Sequence, residues 1–111
     1  MERTPRFATR VFTAGEREYC QSRGAAAAQS YAARFAAKEA FLKAIQTGWR
    51  GKITWQDIEV VSDADGVPTL NISGEARRIM ADRGADRIHV SISHTAEHAV
   101  AQVILERLGD A

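Results

Sequence analysis

Up to Thr47 the apolar residues recur at helical spacing, and after Gly48 the period shortens toward two. Thr4-Pro5 reads as a cap followed by proline at the first helical position, which opens a short helix through about Val11. Thr13-Ala14-Gly15-Glu16 has capping-box spacing and starts a second helix that reaches about Ser22, before Gly24. The longest helix is predicted over residues 26–47, stopping at Gly48, where glycine tolerates a left-handed cap. On it Tyr31, Phe35, Leu42 and Ile45 fall on one stripe about 80° wide, the expected core face. Residues 57–62 and 69–72 pattern as short strands joined by the turn-rich Asp63-Ala64-Asp65-Gly66. Ser73 is placed to cap a helix over 75–83, ended by Gly84; residues 88–93 and 99–106 form a second strand pair around a loop at 94–98. Helices first and strands later predict one α+β domain spanning 1–111, a small antiparallel sheet packed against a long helix.

Composition narrows the class. The chain has 111 residues, 45% hydrophobic and 26% charged, an ordinary globular mix. No apolar run approaches the roughly 20 residues of a membrane span, and Met1 to Arg6 lacks a signal-peptide core. The lone Cys20 cannot form an internal disulfide, which suits a reducing interior, so a cytoplasmic location is expected. The net charge of +1 divides unevenly: residues 1–52 carry +6 and residues 53–111 carry −5. Either the basic half meets an acidic partner or phosphates, or the two halves satisfy each other in the fold.

Two constellations carry candidate chemistry. Glu39 sits at the edge of the apolar stripe of the long helix, Lys43 lies one turn further on, and Lys38 projects within the stripe. Such charges on the margin of a buried face are either paired with each other, as an ordinary i,i+4 surface pair, or kept for a ligand. The second is Ile88-His89-Val90-Ser91-Ile92-Ser93-His94-Thr95, whose alternation sends three aliphatics to one face and His89, Ser91 and Ser93 to the other. It is either a polar outer face or, ending in His94, a row of donors for phosphate oxygens. No G-x-S-x-G elbow, zinc spacing, P-loop or G-x-G-x-x-G occurs.

Taken together, Arg34-Phe35-Ala36-Ala37-Lys38-Glu39-Ala40-Phe41-Leu42-Lys43 and Val90-Ser91-Ile92-Ser93-His94-Thr95 resemble holo-acyl-carrier-protein synthases, the short bacterial 4′-phosphopantetheinyl transferases. Arg6-Phe7 with Arg10, Asp57-Ile58-Glu59-Val60, Gly66-Val67-Pro68 and the closing Ala101 to Glu106 extend the likeness over nearly the whole chain. The resemblance implies the family's fold and a transfer of the phosphopantetheine arm of coenzyme A to a serine of an apo acyl carrier protein. Such carriers serve fatty-acid or polyketide synthesis. It further implies that Glu39 binds Mg2+, that Lys43 and, as a second candidate, Lys38 reach phosphates, and that Pro68, Ser93 and His94 contact the nucleotide. Glu39 or a metal-bound water would take the serine proton. Arg6, Phe7 and Arg10 would dock the acidic carrier protein, and the assembly would be a homotrimer with sites between subunits. No nucleic-acid or membrane partner is implied.

The family pattern also begins with a strand bearing G-x-D, whose aspartate is a second metal ligand. This sequence opens at Met1-Glu2-Arg3-Thr4-Pro5 without it. An internal methionine taken as a start, a shortened chain, and a natural short form that has lost metal-dependent catalysis all remain open. The last of these underlies the alternative function, a non-catalytic module binding carrier protein or nucleotide.

Overall fold

The computed structural model describes residues 5–45, 53–94 and 99–106, with the side chains of Pro5 and His94 outside the description. Helix α1 (Pro5–Val11) and helix α2 (Ala14–Ser22) follow the predicted limits. The capping box forms as its spacing requires: Glu16 N donates to Thr13 Oγ1 at 3.1 Å, and Thr13 N donates to Glu16 Oε1 at 2.9 Å. A 3-10 turn (Gly24–Ala26) leads into α3 (Ala27–Ala44), followed by a second 3-10 turn (Trp55–Asp57). The predicted helix stop at Gly48 lies outside the described residues.

Strands β1 (Ile58–Ser62) and β2 (Pro68–Ile72) pair antiparallel, with Ile58 opposite Ile72 and Ser62 opposite Pro68. Their connection is an Asx turn, in which Asp63 Oδ1 accepts from the amides of Asp65 (2.8 Å) and Val67 (2.9 Å), and Gly66 takes the left-handed φ of +82°. Helix α4 (Gly74–Asp82) leads to β3 (Arg87–His94), which pairs antiparallel with β4 (Ala99–Glu106). The strands form two separate two-stranded sheets among the described residues, with β2 lying against β3, where the sequence predicted one small sheet. Helix α3 packs across β1, β3 and β4, and α2 packs against both α3 and β1. No helix among the described residues is long and apolar enough to cross a membrane.

The core has two parts. Phe41, Leu42 and Ile45 of α3 meet Ile53, Ile58, Ile72, Ala76 and Met80, with Ile88, Val103 and Leu105 of the second sheet packed against them. Val11, Phe12, Cys20 and Tyr31 fill the space between α1, α2 and α3, and burial pushes the Cys20 thiol above its ordinary value.

Ser73 takes the N-cap position of α4, but its hydroxyl makes no capping bond. Backbone sets the entry instead: Ser73 N donates to Asp57 O at 2.9 Å, and Gly74 turns left-handed at φ +60°. A Cβ on Gly74 would sit 2.8 Å from Asp57 Oδ1. Gly74→Ala is therefore expected to cost about 1–3 kcal/mol, read as a lower urea midpoint at unchanged slope.

Candidate functional site

The site is organised by α3. The expected 80° apolar stripe is only part of its covered surface. Ala33, Ala37, Ser30, Phe41 and Arg34 are also buried, which widens the arc to about 180° at helical periodicity. Small residues at 33 and 37 allow neighbouring elements to approach closely, so burial extends where side-chain hydrophobicity is weak.

Lys38 lies inside this arc, with its side chain fully enclosed. Its ammonium forms an ion pair with Glu16 Oε1 at 2.8 Å and donates to the carbonyls of Trp55, at 3.1 Å, and Ile58. Burial lowers the Lys38 pKa, and Glu16 opposes that shift. This corrects the expectation that Lys38 reaches a coenzyme phosphate. Three acceptors inside the protein occupy its three donors, and no face of it opens to solvent.

Glu39, one residue later, is rotated by about 100° onto the exposed side of α3, and Lys43, one turn on, is exposed as well. The ordinary surface pairing of the two does not form among the described residues; neither group joins the other in an ion pair or hydrogen bond. Among the described residues no three of His, Cys, Asp and Glu gather closely enough to hold a metal ion. The donor at Glu39 nevertheless fits a hard dication. It is an exposed carboxylate one turn from an exposed ammonium, the two unpaired with each other among the described residues. Mg2+ is commonly held by one or two carboxylates together with substrate phosphates and water.

A cavity of about 140 Å³ opens on the other flank of α3, lined by Tyr19, Arg23, Ser30, Arg34, Ser62 and Pro68 among others. Arg34 dominates it. Its guanidinium stacks 4.1 Å from the Tyr19 ring centroid, and Nη2 donates to Ser62 Oγ at 3.0 Å. Its Nε is buried with no hydrogen-bond partner among the described residues. Arg23 approaches the same ring at 5.7 Å. Arg34 is a site residue that sequence patterns leave unmarked. The available signal was its i,i+4 spacing from Lys38, which puts two cations on one buried stripe. Among the predicted nucleotide contacts, Pro68 lines this cavity and Ser93 stands exposed on the outward face of β3. His94 ends that strand, but its side chain lies outside the described residues.

On α1, Arg6 and Arg10 are exposed. Phe7 is half-buried, its ring 6.4 Å from that of Phe35, which in turn lies 5.0 Å from Trp55. Phe7 thus offers a partner one edge of a ring anchored in the core rather than a free apolar side chain.

Comparison with known proteins bears on this arrangement. A family model of the 4′-phosphopantetheinyl transferase superfamily matches residues 1–103. The chain is 50% identical over 107 residues to the holo-[acyl-carrier-protein] synthase of Geobacter metallireducens, spanning 96% of this chain and 84% of that protein. Its likeness to the Koribacter versatilis holo-[acyl-carrier-protein] synthase is 50% over 101 residues, 91% of this chain and 80% of the relative. Among solved structures it resembles the Chronobacterium ammoniagenes ACPS–CoA complex, with a TM-score of 0.82 at 29% identity over 97% of this chain and 86% of that one. It also resembles the Bacillus anthracis holo-(acyl-carrier-protein) synthase in complex with CoA (3′,5′-ADP), with a TM-score of 0.75 at 40% identity over 92% and 81% of the two chains.

Proposed function

The chain belongs to the 4′-phosphopantetheinyl transferase superfamily, among the holo-acyl-carrier-protein synthases, and from that membership we propose how its residues divide the work. It transfers the 4′-phosphopantetheine arm of coenzyme A to a serine hydroxyl of apo acyl carrier protein and releases adenosine 3′,5′-bisphosphate. The relatives are synthases, so the non-catalytic alternative is not favoured. In this reaction the serine oxygen forms a bond to phosphorus, the pyrophosphate P–O bond breaks, and negative charge grows on the phosphoryl oxygens. Positioned cations are therefore the main requirement.

The observation that carries the assignment is that Glu39 and Lys43 stand one turn apart on the open side of α3, unjoined to each other. Glu39 would hold Mg2+ and Lys43 would contact the pyrophosphate. The bound dication would supply Lewis-acid polarisation of the phosphoryl oxygens. Pro68 and Arg34 would receive the adenosine end of coenzyme A. A cavity of about 140 Å³ takes only part of that group, beside the Arg34 side chain that lines it. Ser93 and His94 would hold further phosphate oxygens.

Ser93 is directed away from the α3 of its own chain, because Ile88, Val90 and Ile92 occupy the inward side of β3. Reaching a Glu39 site would therefore require a second copy to supply Ser93, as in a homotrimer with sites between subunits. Val100 and Ile104 are 64% and 52% exposed on the same outward face, apolar surface that such association would cover.

The direct assay incubates the chain with coenzyme A, Mg2+ and apo acyl carrier protein. The expected result is a carrier mass increased by one phosphopantetheine arm together with release of adenosine 3′,5′-bisphosphate. An unmodified carrier under saturating conditions would reject the assignment. The exposed arginines of α1 are the proposed docking point for an acidic carrier. Arg6→Glu is expected to lower kcat/KM for the carrier about tenfold at low salt, less at high salt, with coenzyme A affinity unchanged. Equal loss of coenzyme A binding would remove Arg6 from the docking surface.

A further inference from the structure

The Lys38–Glu16 pair differs from the other ion pairs described. Both of its side chains are fully enclosed, whereas Arg78 with Glu75 and Asp82, and His89 with Glu106, are open to solvent. Its contacts tie four elements together. Glu16 closes the N-terminus of α2 through Thr13 N and accepts from Val60 N of β1 at 2.7 Å. Lys38, on α3, reaches the Trp55 carbonyl in the 3-10 turn and the Ile58 carbonyl at the start of β1.

As a source of stability this arrangement is poor. Taking two charges out of water is costly, and apolar side chains of the same volume often serve a core as well as or better than a buried ion pair. What the pair does supply is direction. Three fixed acceptors locate the ammonium, and the Lys38 stem ties α3 to β1 within its reach. The residue that follows Lys38 is Glu39, a step of about 1.5 Å along the axis and 100° around it.

We infer that the Lys38–Glu16 pair is a positioning device for the reaction: it locks α3 onto β1 and α2 so that Glu39 presents its carboxylate at the dication–pyrophosphate site. Neither residue touches substrate or metal. The inference rests on the role given to Glu39 above. Misplacing a catalytic group by about 1 Å can cost on the order of 10²-fold in rate, so loss of the lock is read in kcat and in metal affinity.

The test uses the double variant Glu16→Gln with Lys38→Met. Gln keeps an acceptor for Val60 N at the cost of the one for Thr13 N, Met refills the volume, and neither charge of the pair remains. A circular dichroism spectrum matching wild type is expected, with kcat at least tenfold lower and KM for coenzyme A within twofold. Mn2+ binding in the presence of coenzyme A and the absence of carrier protein, followed by electron paramagnetic resonance, is expected to weaken at least tenfold. A folded double variant with wild-type kcat and Mn2+ affinity overturns the inference. Glu16→Asp, which keeps the charge but shortens the reach, decides the matter if the double variant does not fold. A several-fold loss of kcat and Mn2+ affinity supports the lock, and wild-type values in both overturn it. Glu39→Gln in the same titration separates the two proposals. If it retains Mn2+ binding, the reading of Glu39 fails; if it loses binding while the folded double variant does not, only the lock fails.

Discussion

Glu39→Gln is expected to reduce carrier-protein modification by on the order of 10²-fold or more at saturating coenzyme A and Mg2+, with thermal unfolding unchanged. The substitution removes one negative charge and keeps the side-chain shape. In the free chain Glu39 is exposed and makes no ion pair or hydrogen bond with a described neighbour, so folding has nothing to lose there. The whole effect falls on the transfer. A neutral amide is a weak ligand for a hard dication, and the charge building on the phosphoryl oxygens would lose its main counterweight. The measurement is kcat and KM as a function of Mg2+ concentration, with partial rescue expected at very high Mg2+. Wild-type turnover in Glu39→Gln would show that the acid on α3 is an ordinary surface residue. The companion Lys43→Met should be milder, because it removes one ammonium while the dication and its carboxylate ligand stay in place.

The second large effect concerns folding rather than chemistry. Lys38→Met leaves Glu16 ionised with only backbone donors, and Glu16→Gln removes the carboxylate paired with the Lys38 ammonium, leaving the more distant Glu59 as the acid acting on it. Breaking one side of a buried pair typically costs about 3–5 kcal/mol, a large share of the roughly 5–15 kcal/mol that holds a domain folded. Each single variant is therefore expected to melt well below wild type. The double variant is expected to recover most of the loss, because the buried charge is what costs free energy. Urea unfolding of the four proteins forms a double-mutant cycle, and a coupling energy of about 1–3 kcal/mol is the predicted outcome. Additive losses would mean that the two side chains act independently despite their 2.8 Å separation.

These two effects mark where sequence patterns suffice and where they stop. The boundaries of α1 and α2, both strand pairs and the Asp63–Gly66 turn follow from local signals, because capping, proline and turn chemistry act within a few residues. The open placement of Glu39 and Lys43 follows from helical periodicity, which fixes angles around an axis. Periodicity does not say what lies opposite. Glu16 is legible as the acid of a capping box, yet its second oxygen and its pairing with Lys38 depend on how α2 meets β1 and α3, contacts 22 to 44 residues apart in the chain. Lys38 therefore looks like a cation available to phosphate until the packing is known. Arg34 was hidden for the same reason. Its stacking on Tyr19 and its bond to Ser62 are tertiary contacts, and the cavity exists only once α2, α3 and the β1–β2 hairpin come together. The split into two sheets is likewise a matter of which strands adjoin, and alternation within a strand carries no information on that.

The most direct measurement is a crystal structure of the protein with coenzyme A and Mn2+, using anomalous scattering to locate the metal. The account predicts a Mn2+ ion on the Glu39 carboxylate, pyrophosphate oxygens within reach of Lys43, and Lys38 still enclosed against Glu16. A Glu39 side chain folded onto Lys43 with no ion beside it, and the nucleotide bound elsewhere, would contradict it.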